Sequence, residues 1–203
     1  HDTSEVHLID ADEPTAAPRL VAPRRAKHQY SVEHHWSHLI ITTNSNGAED
    51  FRIVAAPVHS PAETSWREIV AHKPGRLLIE VAIFEHHMAR LEREDSLPRI
   101  IVTPITAGIE VDRNILDTAN EHAIAFDEEA YALGLSSGYE FDTTRIRFTY
   151  SSMTTPAETY DYDMATRQRT LRKRQEVPSG HTPADYVTRR LLAPAPDGEL
   201  VPV

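Results

Sequence analysis

The strongest constraint on this chain is a rhythm of short β-forming runs, set apart by clusters of Pro, Gly, Asn and Asp. That pattern favours a many-stranded all-β fold. Glu5 to Asp10 alternates polar and apolar side chains. After a basic loop around Arg24, Arg25 and Lys27 come Gln29 to Glu33, His38 to Thr43, the turn Asn44-Ser45-Asn46-Gly47, and Phe51 to Ala56. Tyr30 and Val32, then Leu39 and Ile41, stand two apart, the spacing of strand residues that share one buried face. Four strands in about 45 residues is the size of a propeller blade.

The rhythm returns twice. Leu77 to Ile83, His87 to Glu92, Arg99 to Pro104 and His122 to Phe126 make a second set; Tyr131 to Leu135, Arg145 to Ser151, Glu158 to Met164 and Arg169 to Val177 make a third. One blade cannot bury both of its faces, so repetition at this period implies stacking. The expected organisation is the end of a preceding blade at 1–24, three four-stranded antiparallel blades at 27–72, 76–127 and 130–178, and a return segment at 184–203. One stretch conflicts with it. Val81, Phe84, Met88 and Leu91 lie at helical spacing within Glu80 to Glu94, where no Gly or Pro intervenes, so local pattern alone favours an amphipathic helix.

Composition narrows the function classes. A 40% hydrophobic and 26% charged chain of 203 residues is too apolar for disorder and long enough for a packed core. The net charge of −10 is spread along the sequence, which disfavours nucleic acid and anionic membranes as partners. No run approaches the ~18 apolar residues that span a bilayer. The absence of cysteine excludes disulfides and thiolate metal sites and fits a cytoplasmic protein. The chain starts at His1 and ends in a strand-like Glu199 to Val203, so both ends read as cut from something longer.

Four constellations invite chemistry. Gly134-Leu135-Ser136-Ser137-Gly138 fits G-x-S-x-G, but that serine is a nucleophile only where a strand turns sharply into a helix. Here Tyr139 to Thr144 and another β-type run follow, so Ser136 reads as part of a turn between strands. His34 and His38 have zincin spacing, yet His35 stands where the glutamate is needed. With Glu85-His86-His87 they read as solvent-exposed turns, and neither a metal nor a cofactor is expected. Arg167, Arg169, Arg172, Lys173 and Arg174 lack interleaved aromatic residues for base stacking, and cross-strand pairing with Glu158, Asp161 and Asp163 is expected instead. Glu128 and Glu129 are a pair of the type that holds a Lys or Arg side chain, and the plain reading is simple exposure.

The run Arg145-Ile146-Arg147-Phe148-Thr149-Tyr150-Ser151-Ser152-Met153-Thr154-Thr155-Pro156 resembles a signature of the oligopeptidase B branch of the prolyl oligopeptidase family. Glu158 to Asp163, then a strand ending Arg174-Gln175-Glu176-Val177-Pro178, continue the likeness, and Tyr186 through Val203 is similar to the junction where that family's chain leaves its propeller. Weaker likenesses lie at Ile41 to Asn44, Asp50 to Arg52, and Phe84 before Glu92 and Arg93. The resemblance implies part of a seven-bladed β-propeller, about three blades with partial strands at both ends, and it favours two strands over a helix across Glu80 to Glu94. It further implies a partner α/β-hydrolase domain with a Ser-Asp-His triad, short peptides cleaved after Lys or Arg, and a propeller that restricts substrates by size. It transfers no catalytic residue to this sequence.

Two rivals stand beside that reading: a stand-alone propeller-type interaction module, and a metal-dependent hydrolase using the histidines. Self-association is also expected, on the ground that cutting a ring of blades leaves apolar faces without neighbours.

Overall fold

The computed structural model describes residues 3–106 and 115–203. Positions 1–2 of the first expected segment and 107–114 of the second expected blade lie outside the described residues. Among the described residues, helix is limited to three short 3-10 segments, and the rest of the regular structure is antiparallel sheet. Strands β1 (Val6–Leu8) and β2 (Arg19–Ala22) form a hairpin. A four-stranded sheet follows, β3 (Tyr30–His35), β4 (His38–Thr43), β5 (Arg52–Pro57) and β6 (Arg67–Val70), each strand beside the next. The second sheet is β7 (Arg76–Ile83), β8 (His87–Glu94), β9 (Leu97–Pro104) and β10 (His122–Ala123). The third is β11 (Ala132–Ser136), β12 (Arg145–Ser151), β13 (Glu158–Asp163) and β14 (Arg169–Arg174). A last hairpin pairs β15 (Leu192–Pro194) with β16 (Leu200–Pro202).

The sheets stack because their middle strands are apolar on both faces. In the first sheet Leu39, Ile41, Val54 and Ala56 pack with Tyr30 and, from β2, Val21 and Ala22. The alternate residues Ile40, Ile53 and Ala55 point the other way and meet Leu78 and Met88 of the second sheet. On the far side of that sheet Phe84, Ala89, Leu91, Ile100 and Val102 pack with Ile146, Phe148, Tyr150 and Tyr162 of the third. Period-two alternation thus assigns each residue to one of two seams.

Glu80 to Glu94 is two strands and the turn between them, with Val81 opposite Arg90 and Ile83 opposite Met88. Its helical spacing has a physical origin. Val81 and Met88 pack in the seam with the first sheet, whereas Phe84 and Leu91 pack in the seam with the third. A register shift between Leu78 and Glu80 moves the following residues to opposite faces, since one inserted residue inverts the alternation. Leu78 and Ala82, both at even positions, accordingly serve different seams.

Some boundaries differ from expectation. β3 extends through His34 and His35, which pair with Leu39 and His38. The regular ladder of β10 stops at Ala123, although the Ile124 amide still donates to Ile100, and Phe126 leaves to stack on Tyr150. β14 ends at Arg174 rather than Val177. Strands β2 and β6 had no distinct signal, being short and mostly exposed or half-buried.

One end of the second sheet is ionic although buried. Glu92, 1% exposed, takes Nη2 of Arg99 at 2.5 Å and lies 3.6 Å from Nε of Arg90 and 3.9 Å from Nε of Arg76. Arg90, 3% exposed, also donates to Glu121 at 3.0 Å and Thr103 at 3.1 Å. Removing one member of such a network leaves the others charged and desolvated. Glu92→Ala is therefore expected to lower the unfolding free energy by about 3–5 kcal/mol in denaturant titrations, a larger loss than truncating an exposed glutamate such as Glu176.

The two end faces of the stack differ from the bare apolar surfaces on which the expectation of self-association rests. The outward face of the third sheet carries Arg145, Arg147, Thr149, Asp161 and Arg172, with Arg147 and Arg172 each 2.7 Å from Asp161. Such a ladder is solvated rather than hydrophobic. At the opposite side, β1 and β2 cover the apolar face of the first sheet.

Burial holds four imidazoles below the ordinary histidine range: His28, His38, His87 and His122, aided at His28 by the Arg25 charge, at His38 by His35 and at His122 by Arg167. A depressed histidine pKa makes the unfolded state the better proton acceptor. Stability is then fully present above the unfolded value, about 6.5, and falls as pH drops below it. The melting temperature is expected to fall between pH 7.5 and 5.5, above the ordinary carboxylate range; a flat profile there contradicts it.

Candidate functional site

β3, the first strand of the first sheet, lies against β7, the first strand of the second. Two acids stand there. Burial pushes up the half-buried Glu80, and the same desolvation, with the Glu80 charge second, pushes up Glu33, which keeps an exposed edge. At one end of these strands the turns of all three sheets interlock. Phe141, from the link between β11 and β12, accepts the Glu85 amide at its carbonyl (3.0 Å) and sets its ring 5.6 Å from those of His35 and Trp36. No motif pointed to Phe141, because its partners are remote in sequence.

Ser136 is the last residue of β11 and exposed, and the chain returns antiparallel as β12 without a helix. It lines an open recess of ≈ 500 Å³ with Tyr139, Glu140, Arg145, Arg147 and Asp161. Among the described residues the carboxylates that line it are Glu140 and Asp161, and Asp161 is held by Arg147 and Arg172, which depress its pKa. Among the described residues no histidine lines the recess, so none of these is poised as a general base beside the hydroxyl. Gly134 has a structural role instead. A Cβ there would lie 2.8 Å from Oγ1 of its cross-strand neighbour Thr149. Gly138 turns with φ +69°, a conformation that favours glycine. Ser136→Ala is expected to leave both the melting temperature and any hydrolytic background of the purified chain unchanged; loss of a real hydrolytic rate would restore the nucleophile reading.

The histidine hairpin is corrected in one respect. His34 is exposed, but His35 and His38 are both 2% exposed rather than open to solvent. They face each other across the hairpin, where Trp36 takes φ 52°. Nε2 of His35 bonds the Glu85 carbonyl at 2.9 Å, which draws the pair beneath the next sheet's turn. His87 is likewise buried. Among the described residues no group of three or more His, Asp and Glu is arranged to hold a metal.

The basic cluster is engaged within the third sheet, as its acidic neighbours implied. Arg172 pairs with Asp161 at 2.7 Å and Arg174 with the buried Glu158 at 2.6 Å. Arg169 lies over the rings of Phe126 and Tyr160, 5.5 and 5.2 Å from their centroids, a cation–π contact.

Glu128 and Glu129 are not merely exposed. Glu128 accepts the hydroxyls of Thr155, Thr154 (3.1 Å) and Thr188 (3.2 Å). Burial alone would raise its pKa, but hydroxyl donors including Ser152, Thr155, Tyr150 and Thr154 hold it below the ordinary range. Glu129 accepts the Arg190 amide at 3.0 Å and Nη1 of Arg189 at 2.5 Å, which hold it low as well. The pair does receive arginine, but that arginine comes from the chain itself.

Comparisons with known proteins agree with this geometry. A family model described as "Prolyl oligopeptidase, N-terminal beta-propeller domain" matches residues 1–175. Dipeptidyl aminopeptidase BI of Pseudoxanthomonas mexicana is 34% identical over 189 residues, covering 92% of this chain and 24% of that protein. Protease 2 of Moraxella lacunata is 27% identical over 201 residues, covering 99% and 27%. Among solved structures, oligopeptidase B from Trypanosoma brucei with covalently bound antipain superposes with a TM-score of 0.85 at 29% identity, over 99% of this chain and 28% of that one. Oligopeptidase B from Leishmania major gives 0.85 at 28% identity, over the same shares. The chain spans about a quarter of the length of the curated relatives it matches.

Proposed function

Because this chain belongs to the prolyl oligopeptidase family, as part of its N-terminal β-propeller domain, we propose that it is the non-catalytic propeller portion of an oligopeptidase B-type serine peptidase. The longer protein hydrolyses short peptides after Lys or Arg, using a Ser-Asp-His triad on a partner α/β-hydrolase domain, and the propeller limits substrates by size. A cytoplasmic location is part of the same proposal. The observation that carries the reading is the superposition on oligopeptidase B at a TM-score of 0.85 over 99% of the chain. The net charge of −10 and the neighbouring acids Glu33 and Glu80 support it, since they suit a cationic peptide.

A second reading rests on the 34% identity with a protein named dipeptidyl aminopeptidase, which exceeds the 27–29% shared with the protease 2 and oligopeptidase B relatives. It keeps the same architecture and chemistry and moves the cut to the second bond from a free amino terminus. The two are separated by one assay on the longer protein. Cleavage of amino-blocked Arg and Lys reporters, abolished by a serine-directed phosphonylating inhibitor and accompanied by no attack on folded proteins, is the expected result. Turnover only of reporters with a free amino terminus two residues from the bond establishes the second reading instead. The 203-residue chain by itself is expected to turn over neither, and a downstream sequence without a strand–Gly-x-Ser-x-Gly–helix unit overturns both.

A further inference from the structure

Beyond β14 the chain does not simply trail away. Nε2 of His181 bonds the Thr154 carbonyl at 2.6 Å, and its ring stacks on Tyr186 at 5.1 Å. Thr188 reaches Glu128, and Arg189 and the Arg190 amide reach Glu129. The Arg190 guanidinium then bonds the carbonyl of Asp95, in the turn between β8 and β9. Residues 181–190 are thus tied to the third sheet's turn by His181 and to the second sheet's turn by Arg190, and between those bonds to two adjacent carboxylates in the link from β10 to β11.

The picture changes at Leu191. From there the backbone pairs within its own hairpin, Leu191 and Val203 exchanging both hydrogen bonds at 2.9 and 2.8 Å. Leu191, Leu192, Leu200, Val201 and Val203 are all exposed. An isolated two-stranded hairpin with uncovered apolar residues is not independently stable and requires cover from elsewhere.

We propose that Glu128 and Glu129 act as a clasp that fixes residues 181–190 to the second and third sheets, so that whatever follows turns about Arg190-Leu191 and not about the end of β14. This rests on the reading that a partner domain follows. It gives Glu128 and Glu129 a positioning role: they set where, and at what angle, that domain leaves the propeller. Without the clasp the segment hangs on the His181–Thr154 and Arg190–Asp95 bonds, and each time these open the pivot retreats toward Gln175, some fifteen residues earlier, a linker length that lets the domain wander over a larger volume.

The experiment is hydrogen exchange on the 203-residue chain, read at the Arg190 amide, with the β12 amides as the reference for folding. Glu129→Ala removes the acceptor and is expected to speed exchange of that amide by about tenfold or more; Glu129→Gln, which keeps a carbonyl oxygen but not the charge, is expected to fall between. Trypsin cleavage after Arg189 or Arg190 is expected to accelerate in parallel. If Glu129→Ala loses the β12 protection as well, Arg189→Ala and Glu128→Gln take its place, since each loosens the clasp and leaves Glu129 intact. Unchanged exchange and proteolysis in a variant that retains β12 protection overturns the clasp. Peptidase turnover by the longer protein is a separate readout. Its absence in the unsubstituted protein counts against the proposed function alone, whereas faster exchange in Glu129→Ala supports the clasp either way.

Discussion

Everything in this structure follows from sheets that must bury both faces. A sheet with one apolar face closes its core against a single neighbour, but here β4, β5, β8 and β9 are apolar on two sides. The four-stranded units are therefore obliged to stack, and each seam is filled from both directions by residues one apart in sequence. Even where a charge enters, at Arg90 and Glu92, it is enclosed by partners rather than left to solvent. The third sheet breaks the pattern, with an aromatic face toward its neighbour and an ionic ladder on the other side.

The ends of the strands are where the units communicate without sharing a core. At one end Phe141 reaches from the third sheet, past Glu85 of the second, to Trp36 and His35 of the first. At another place Glu128 and Glu129 gather one threonine hydroxyl and an arginine from a segment sixty residues later in the chain. Such contacts join turns and links, the parts of a fold with the fewest buried apolar atoms, and they rely on hydrogen bonds and ring stacking in place of hydrophobic area.

The sequence by itself determined the blade pattern and the family. Strand spacing put Tyr30, Val32, Leu39 and Ile41 on one face, where they do share one core, and the run from Arg145 to Pro156 carried the resemblance. It also argued against Ser136 as a nucleophile, because helix-forming sequence does not follow; the residue ends strand β11 rather than lying in the turn beyond it. These features are local: they depend on side chains two apart or on contiguous motifs. Only the tertiary structure decided the rest. Whether Val81 to Leu91 was helix or two strands turned on burial of both faces and on a register shift near Ile79, neither of which a periodicity can register. His35 and His38 are buried because another sheet's turn lies over them, and Glu129 is bound because Arg189 and Arg190 return to it. In each case the deciding partner stands far away in the chain, so the identity of the residue was legible from the start while its environment existed only once the sheets had stacked.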